Sequence, residues 1–94
     1  YIPEKCRSVW AQYTLKAADE DQRSAIMAQT KAKGVPTVVY YPLPLHQQTA
    51  YARFPKDPDG LGVSETLAKQ VFSLPMHPYL SQEQIDLVVS AVTL

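Results

Sequence analysis

Hydrophobic and polar positions alternate along short segments of the chain, which predicts β-strands. From Ser8 to Leu15, apolar side chains alternate with polar or mixed ones, the pattern of a strand with one buried face. Thr37–Tyr41 and Val71–Leu74 are β-branched or aromatic in character, and a proline follows each of them. These three segments predict a small sheet.

Between the strands, two segments predict helices. Asp19–Asp21 supplies acidic N-cap candidates for a helix that continues to about Lys33 and stops at Gly34. The small and apolar residues expected on its buried side are Ala25, Ile26, Met27 and Ala32. A second helix is predicted from about Val63 to Gln70.

The last segment has the most complete helix signature. Ser81 is the expected N-cap, Gln84 its capping-box partner, and Leu80 and Ile85 the expected hydrophobic staple. Apolar residues then recur at helical spacing, at Ile85, Val88, Val89 and Val92. This pattern predicts a surface helix packed on the sheet.

A long connection separates the second and third predicted strands. Between Pro42 and Gly62 the chain has four prolines and a short possible helix near residues 46–52. Loops of this length in compact domains are usually functional or disordered, and we favour a functional loop.

The order of these elements predicts an α+β fold. We expect a two-layer domain with a small, mainly antiparallel sheet and helices on one face. The 94 residues suffice for one domain with a modest core, so residues 1–94 are interpreted as a single domain. Because the chain starts at Tyr1 and not at a methionine, we expect it to be a piece of a longer protein.

Composition narrows the class of protein. Nine basic and nine acidic residues cancel, which argues against a nucleic-acid-binding or membrane-surface protein. No apolar stretch approaches the roughly 20 residues that span a bilayer. Cys6 is the single cysteine, which excludes an internal disulfide and a cysteine-based zinc site. We expect a cytoplasmic protein that binds no metal, with Cys6 as a buried free thiol.

The two histidines are the residues with most chemical interest. His46 and His77 each follow a predicted strand and lie among prolines, which restrict the backbone and hold the side chain at a fixed angle. Each is either a substrate contact or a histidine that bonds a neighbouring carbonyl in an ordinary turn. The same two readings, a sugar or base platform or half-buried packing, apply to the tyrosines Tyr40, Tyr41, Tyr51 and Tyr79.

Four ordered motifs give the chain a family resemblance. They are Ser8–Thr14, Gly34–Thr37, Tyr41–Gln48 and Ser73–Leu80, and together they span nearly the whole sequence. In this order and spacing they resemble the carboxy-terminal end of the DegT/StrS class of sugar aminotransferases. The Met76–Leu80 string most resembles the members that aminate carbon 3 of a UDP-linked 2-acetamido-3-keto-glucuronic acid for lipopolysaccharide O-antigen sugars.

The resemblance implies a fold-type I homodimer whose cofactor is pyridoxal phosphate (PLP). A lysine of a large domain would hold the PLP, glutamate would donate the amino group, and the nucleotide-linked keto sugar would receive it. This chain has no segment like the family's lysine motif, no cofactor-phosphate loop and no aspartate for the pyridinium nitrogen. The large PLP-binding domain is therefore expected to lie outside the chain, which alone should be inert.

The resemblance also assigns site residues. His77 and Tyr79 would face the nucleotide-sugar pocket, His46 and the turn at Tyr41 would line its entrance, and Gln12 and Tyr13 are further candidates on the first strand. Many relatives carry histidine in place of Tyr40, which leaves that position without a role carried over from the family. The alternative function is a free-standing nucleotide-sugar or peptide binding module without catalysis.

Overall fold

Two antiparallel strands form the sheet in the computed structural model, which describes residues 1–93. Strand β1 comprises Tyr13–Lys16 and strand β2 comprises Val71–Leu74. Their register places Tyr13 opposite Leu74, so the start of β1 lies beside the end of β2. Residues just before β1 and just after β2 are thereby brought to one end of the sheet.

Three α-helices accompany the sheet. Helix α1 comprises Glu20–Ala32, α2 comprises Gly62–Gln70 and α3 comprises Gln82–Val92. A short 3₁₀ helix, Leu45–Gln47, lies in the long loop before α2. This arrangement confirms the predicted α+β class. Within residues 1–93, every helix falls short of the length and apolar character needed to cross a membrane.

The main hydrophobic core lies between the sheet and α1. Its buried members are Ala17, Ile26 and Phe72, and further apolar side chains pack around them from Leu15, Met27, Val39 and Leu74. Phe72 is 2% exposed and is the largest apolar side chain buried to this degree. Burial of a phenylalanine side chain contributes about 1.5–3 kcal/mol, so Phe72 is the principal apolar anchor of the sheet.

Local capping sets the beginnings of α1 and α3 as predicted. Oδ1 of Asp19 accepts a hydrogen bond from the backbone N–H of Gln22 at 2.8 Å. Before α3, Oγ of Ser81 accepts from the N–H of Gln84 at 3.2 Å, and Oε1 of Gln84 accepts from the N–H of Ser81 at 2.9 Å. This reciprocal pair satisfies two donors that the first helical turn leaves free. Gly34, with φ 76°, adopts the left-handed conformation expected after α1.

The first predicted strand is wrong in its amino-terminal half. It was expected to begin at Ser8, whereas β1 begins at Tyr13. Trp10 has φ 48°, a left-handed conformation that interrupts an extended chain, and Val9 is 91% exposed. Because no strand or helix covers this segment, Cys6 is also exposed, and the expectation of a buried thiol is wrong.

The predicted strand Thr37–Tyr41 is not formed as a strand, and the segment makes a single β-bridge at Val38. The N–H of Val38 donates to the carbonyl of Ser73 at 3.1 Å, and the carbonyl of Val38 accepts from the N–H of Ser73 at 2.7 Å. Pro36 and Pro42 lie on either side of this bridge. Since proline has no N–H to donate, Pro36 limits extension of the ladder on its side of the bridge.

The buried side of α1 differs from the sequence prediction. Ile26 is buried as expected and Met27 is partly buried, but Ala25 and Ala32 are exposed. Thr30 takes their place and is fully buried. Its hydroxyl donates to the carbonyl of Met27 at 3.0 Å, which satisfies the polar group inside the fold.

The predicted apolar face of α3 is only partly covered. Val88 and Val92 are half-buried, while Ile85 and Val89 are 40% and 55% exposed. Ala91 is the fully buried residue of this helix. The contact with α1 therefore lies near the carboxy-terminal end of α3. Apolar side chains nearer the start of α3, such as Ile85, remain exposed.

The short helix predicted near residues 46–52 is a single 3₁₀ turn. The N–H of Gln47 donates to the carbonyl of Pro44 at 3.0 Å, and the turn ends at Gln48, which is extended with ψ 137°. The turn carries His46 at its centre, so the loop places this histidine by a compact local structure.

We predict that Phe72→Ala destabilises the protein by about 3–5 kcal/mol, because it removes the buried ring and leaves a cavity that the core only partly fills. Urea denaturation followed by far-UV circular dichroism measures the change. Phe54→Ala removes the same atoms from a ring that is 53% exposed, and is expected to cost less than about 1 kcal/mol. Equal losses for the two variants would show that the core does not depend on Phe72.

Candidate functional site

A groove of about 990 Å³ lies between the proline-rich loop and α2. We call it the loop–α2 groove. Its lining includes the aromatic residues Tyr41, Tyr51 and Phe54 and the polar residues His46 and Lys56. Helix α2 and its flanks supply the facing residues Leu61, Ser64, Leu67, Ala68 and Val71. Exposed aromatic rings beside a few polar groups are the usual composition of a site for an organic ligand.

His46 is the best-fixed polar side chain of this groove. Its Nε2 lies 2.8 Å from Oε1 of Glu65 in the first turn of α2. The side chain of His46 is 13% exposed and that of Glu65 is 44% exposed. The contact joins the long loop to α2 across 19 residues of sequence. It is an ion pair when the imidazole is protonated and a hydrogen bond when it is neutral.

The surroundings of Glu65 favour its ionised form. The hydrogen bond from His46 lowers the pKa of the Glu65 carboxyl below its ordinary value, and partial burial opposes that effect. The charge of His46, a hydrogen bond from Gln47 and the charge of Lys56 lower the pKa further. A carboxylate in this position accepts hydrogen bonds and donates none.

A second, smaller cavity of about 110 Å³ lies at the end of the sheet. We call it the sheet-end cavity. It exists because β1 begins where β2 ends, and because Val38 is bridged to Ser73. The lining comes from all three segments: Ala11, Gln12, Pro36, Val38, Tyr40, Ser73, Leu74, Pro75 and Met76.

The six residues predicted as substrate contacts divide among four places. Tyr41 and His46 lie together in the loop–α2 groove, and Gln12 lies in the sheet-end cavity. Tyr13 is 46% exposed in β1 and stacks on Trp10, with ring centroids 5.7 Å apart.

His77 and Tyr79, the remaining two, are exposed side chains on the segment that follows β2. The N–H of Tyr79 donates to Nδ1 of His77 at 3.2 Å, and their rings lie 6.4 Å apart. Neither residue lines the groove or the sheet-end cavity. Met76 does line that cavity, so the chain leaves it immediately before His77.

Glu65 was missed by reasoning from the sequence, and Tyr40 was left with two interpretations. Glu65 carries no local signal for its role, because a first-turn glutamate is ordinary helix chemistry and its partner lies in a distant loop. Tyr40, which was expected either to pack or to form a sugar or base platform, lines the sheet-end cavity while its neighbour Tyr41 lines the groove. Successive side chains of an extended segment point to opposite faces. This alternation could have indicated that Tyr40 and Tyr41 line different cavities.

None of the lysines within residues 1–93 has the surroundings expected of a Schiff-base lysine. A Schiff-base lysine is normally desolvated or placed beside another cation, but all six lysines are exposed, and Lys33 donates to the carbonyl of Ser90 at 3.0 Å. Gly34 and Gly60, the glycines with positive φ, occupy a helix end and a turn. In the part of the chain that the structure describes, no three acidic, histidine or cysteine residues cluster as metal ligands would.

We predict a pH dependence of stability that originates at Glu65. Its folded-state pKa is lowered, so the stabilisation from its contact with His46 is complete above the usual glutamate value of 4.5 and is lost as the pH falls through the folded-state pKa. Between about pH 6 and about pH 3, wild type should lose more stability than Glu65→Gln, which cannot titrate. Urea denaturation at each pH measures the difference.

Glu83→Gln is the control for the loss of one carboxylate, because Glu83 is exposed in the first turn of α3 as Glu65 lies in the first turn of α2. An identical pH dependence in wild type and Glu65→Gln would contradict the assignment of this effect to Glu65.

Comparison with known proteins identifies the family. The sequence model of the DegT/DnrJ/EryC1/StrS aminotransferase family matches residues 2–93. The UDP-2-acetamido-2-deoxy-3-oxo-D-glucuronate aminotransferase of Pseudomonas aeruginosa is 45% identical over 86 residues, which cover 92% of this chain and 22% of that protein. The UDP-N-acetyl-3-dehydro-α-D-glucosamine 3-aminotransferase of Acidithiobacillus ferrooxidans is 33% identical over 90 residues, or 96% of this chain and 23% of that protein.

The fold is shared with a solved member of the same family. The crystal structure of a DegT DnrJ EryC1 StrS aminotransferase from Brucella abortus superimposes with a TM-score of 0.88 at 43% identity, covering 98% of this chain and 24% of that one. The chain thus spans about a quarter or less of the length of the relatives it matches. The match nevertheless takes in all four motifs of the sequence, and this chain belongs to the DegT/DnrJ/EryC1/StrS aminotransferase family.

Proposed function

We propose that this chain is the carboxy-terminal small domain of a PLP-dependent aminotransferase that transfers an amino group from glutamate to a nucleotide-linked keto sugar. The observation that carries the proposal is the family match over residues 2–93. Relatives named as sugar transaminases cover about nine-tenths of the chain at 45% and 33% identity. The fold agreement with a solved family member supports the same conclusion.

For the sugar, we propose UDP-linked 2-acetamido-3-keto-glucuronate, used in O-antigen and lipopolysaccharide synthesis. The relatives from Pseudomonas aeruginosa and Acidithiobacillus ferrooxidans both have names that specify a UDP-linked, N-acetylated sugar with a keto group at carbon 3. The relative from Streptomyces venezuelae, at 33% identity, is named for a dTDP-linked sugar. The higher identity to the glucuronate enzyme favours the UDP-linked acid.

In this proposal the chain binds and orients substrate, and the cofactor is held elsewhere. All the lysines of residues 1–93 are exposed, which supports PLP binding by a large domain outside this chain, in a cytoplasmic homodimer. Tyr41 and His46 would contact the nucleotide sugar in the loop–α2 groove. Gln12 and Tyr13 at the sheet end, with His77 and Tyr79 beyond β2, are proposed as further contacts.

We predict that the full-length protein converts the UDP-linked 3-keto sugar to the 3-amino sugar with glutamate as donor. With ¹⁵N-glutamate, mass spectrometry should show the keto oxygen replaced by a labelled amino group and glutamate converted to 2-oxoglutarate. The 94-residue chain should show no transfer. A dTDP-linked 3-keto sugar tests the choice of nucleotide. Binding of the UDP sugar without amination by the full-length protein would instead favour a binding module.

We predict that His77→Ala in the full-length protein slows the half-reaction with the keto sugar and leaves the half-reaction with glutamate and the visible absorbance of bound cofactor unchanged. The expected cause is loss of a contact that orients the sugar, since His77 is exposed and has only a local backbone partner. Stopped-flow absorbance separates the two half-reactions. Loss of bound cofactor would contradict this assignment, because it would show that His77 supports cofactor binding and not only the sugar.

A further inference from the structure

We infer that Glu65 is a positioning residue, which holds Nε2 of His46 so that Nδ1 of the same imidazole is presented to a ligand in the loop–α2 groove. Three observations carry this inference. Nε2 of His46 lies 2.8 Å from Oε1 of Glu65, the imidazole is 13% exposed, and it lines the groove. The identity of the ligand rests on the proposed function, whereas the orientation of the ring does not.

The contact selects one tautomer of His46. A carboxylate only accepts hydrogen bonds, so Nε2 must carry the proton, and in the neutral imidazole Nδ1 is then an acceptor. Within residues 1–93, every buried side-chain nitrogen and oxygen has a hydrogen-bond partner. His46 makes its side-chain hydrogen bond, to Glu65, through Nε2. Nδ1 therefore keeps some exposure to solvent. It is available to a hydroxyl or N–H group of the bound nucleotide sugar.

The loop alone does not fix this ring. The 3₁₀ turn that carries His46 is held by backbone bonds from Gln47 to Pro44 and from Gln48 to Leu45. Those bonds set the backbone and leave the imidazole free to rotate about its side-chain bonds. Glu65 supplies the long-range contact, and the hydrogen bond from His46, with smaller contributions from Gln47 and Lys56, lowers the pKa of its carboxyl. The carboxylate of Glu65 is therefore available to accept the hydrogen bond from Nε2 throughout the neutral pH range.

A double-mutant cycle in the full-length protein tests the inference. Glu65→Ala should lower kcat/KM for the keto sugar about tenfold, the usual consequence of losing a hydrogen bond to a charged group. The half-reaction with glutamate should be unchanged. In a His46→Ala background, Glu65→Ala should have no further effect, because Glu65 acts only through His46. Glu65→Gln keeps a carbonyl acceptor for Nε2 and should retain most of the activity.

Glu83→Ala, in the first turn of α3, is the matched control and should behave as wild type. Additive losses for Glu65 and His46, or equal slowing of both half-reactions by Glu65→Ala, would overturn the positioning role.

Ring-labelled ¹⁵N-histidine NMR tests the orientation without reference to catalysis. Above about pH 8, where imidazoles are neutral, His46 should be protonated mainly at Nε2 in wild type. Glu65→Ala should show a mixture of the two tautomers. The signals of His46 are assigned by their loss in His46→Gln. An unchanged tautomer in Glu65→Ala would contradict the inference, even if amino transfer is observed. The expected NMR result in a protein without aminotransferase activity would leave the orientation standing and reject the proposed substrate.

Discussion

The fold depends on strand β2, four residues that are covered on both faces. Phe72 points into the core with Ile26, while the hydroxyl of Ser73 lies 2.9 Å from that of Thr14. Phe72 and Ser73 are 2% and 5% exposed, so both faces are covered at the centre of the strand, while Val71 and Leu74 at its ends are half-buried. In addition, α2 ends at the residue before β2, with no loop between them. A shift of one residue would place the phenylalanine ring against the hydroxyls and Ser73 in the core, so the register of β2 is strongly specified.

Polar side chains of α1 hold the helices together where apolar burial is small. Arg23 donates to the carbonyl of Ala68 in α2 at 2.9 Å, and Gln29 donates to the carbonyls of Ala91 and Thr93 at 2.9 and 3.2 Å. The ammonium group of Lys33 reaches the last turn of α3 in the same way. These groups satisfy carbonyls that a helix end leaves without partners, and the positive charges lie at the negative end of the helix dipole.

Features encoded by adjacent residues could be predicted from the sequence. Asp19, Ser81 and Gln84 make the expected caps, because a cap requires only a side chain and a backbone group three residues away. Strand limits were harder, since they depend on a partner that the local pattern does not reveal. Val38 has the composition of a strand residue, but its pairing is limited to one bridge, to Ser73.

The same distinction applies to the candidate site. The family motifs identified Tyr41 and His46, which the groove brings together, yet they gave no indication of Glu65, whose role exists only once α2 folds against the loop. Burial was misjudged for a related reason. Thr30 can be buried because its hydroxyl donates a hydrogen bond within its own helix. A pattern of hydrophobic residues does not reveal such a hydrogen bond.

The two cavities share one anchor, which relates the site back to β2. Tyr40 lines the sheet-end cavity and Tyr41 lines the loop–α2 groove, and both follow the bridge between Val38 and Ser73. That bridge consists of two backbone hydrogen bonds, at 3.1 and 2.7 Å, so side-chain changes in the bridged residues leave it largely intact. The loop beyond Tyr41 gains its next long-range hydrogen bond at His46, through Glu65. The groove wall formed by residues 41–46 is thus held at one end by the sheet and at the other by α2. A ligand in the groove meets a segment fixed at both ends, and little of its binding free energy is needed to order that segment.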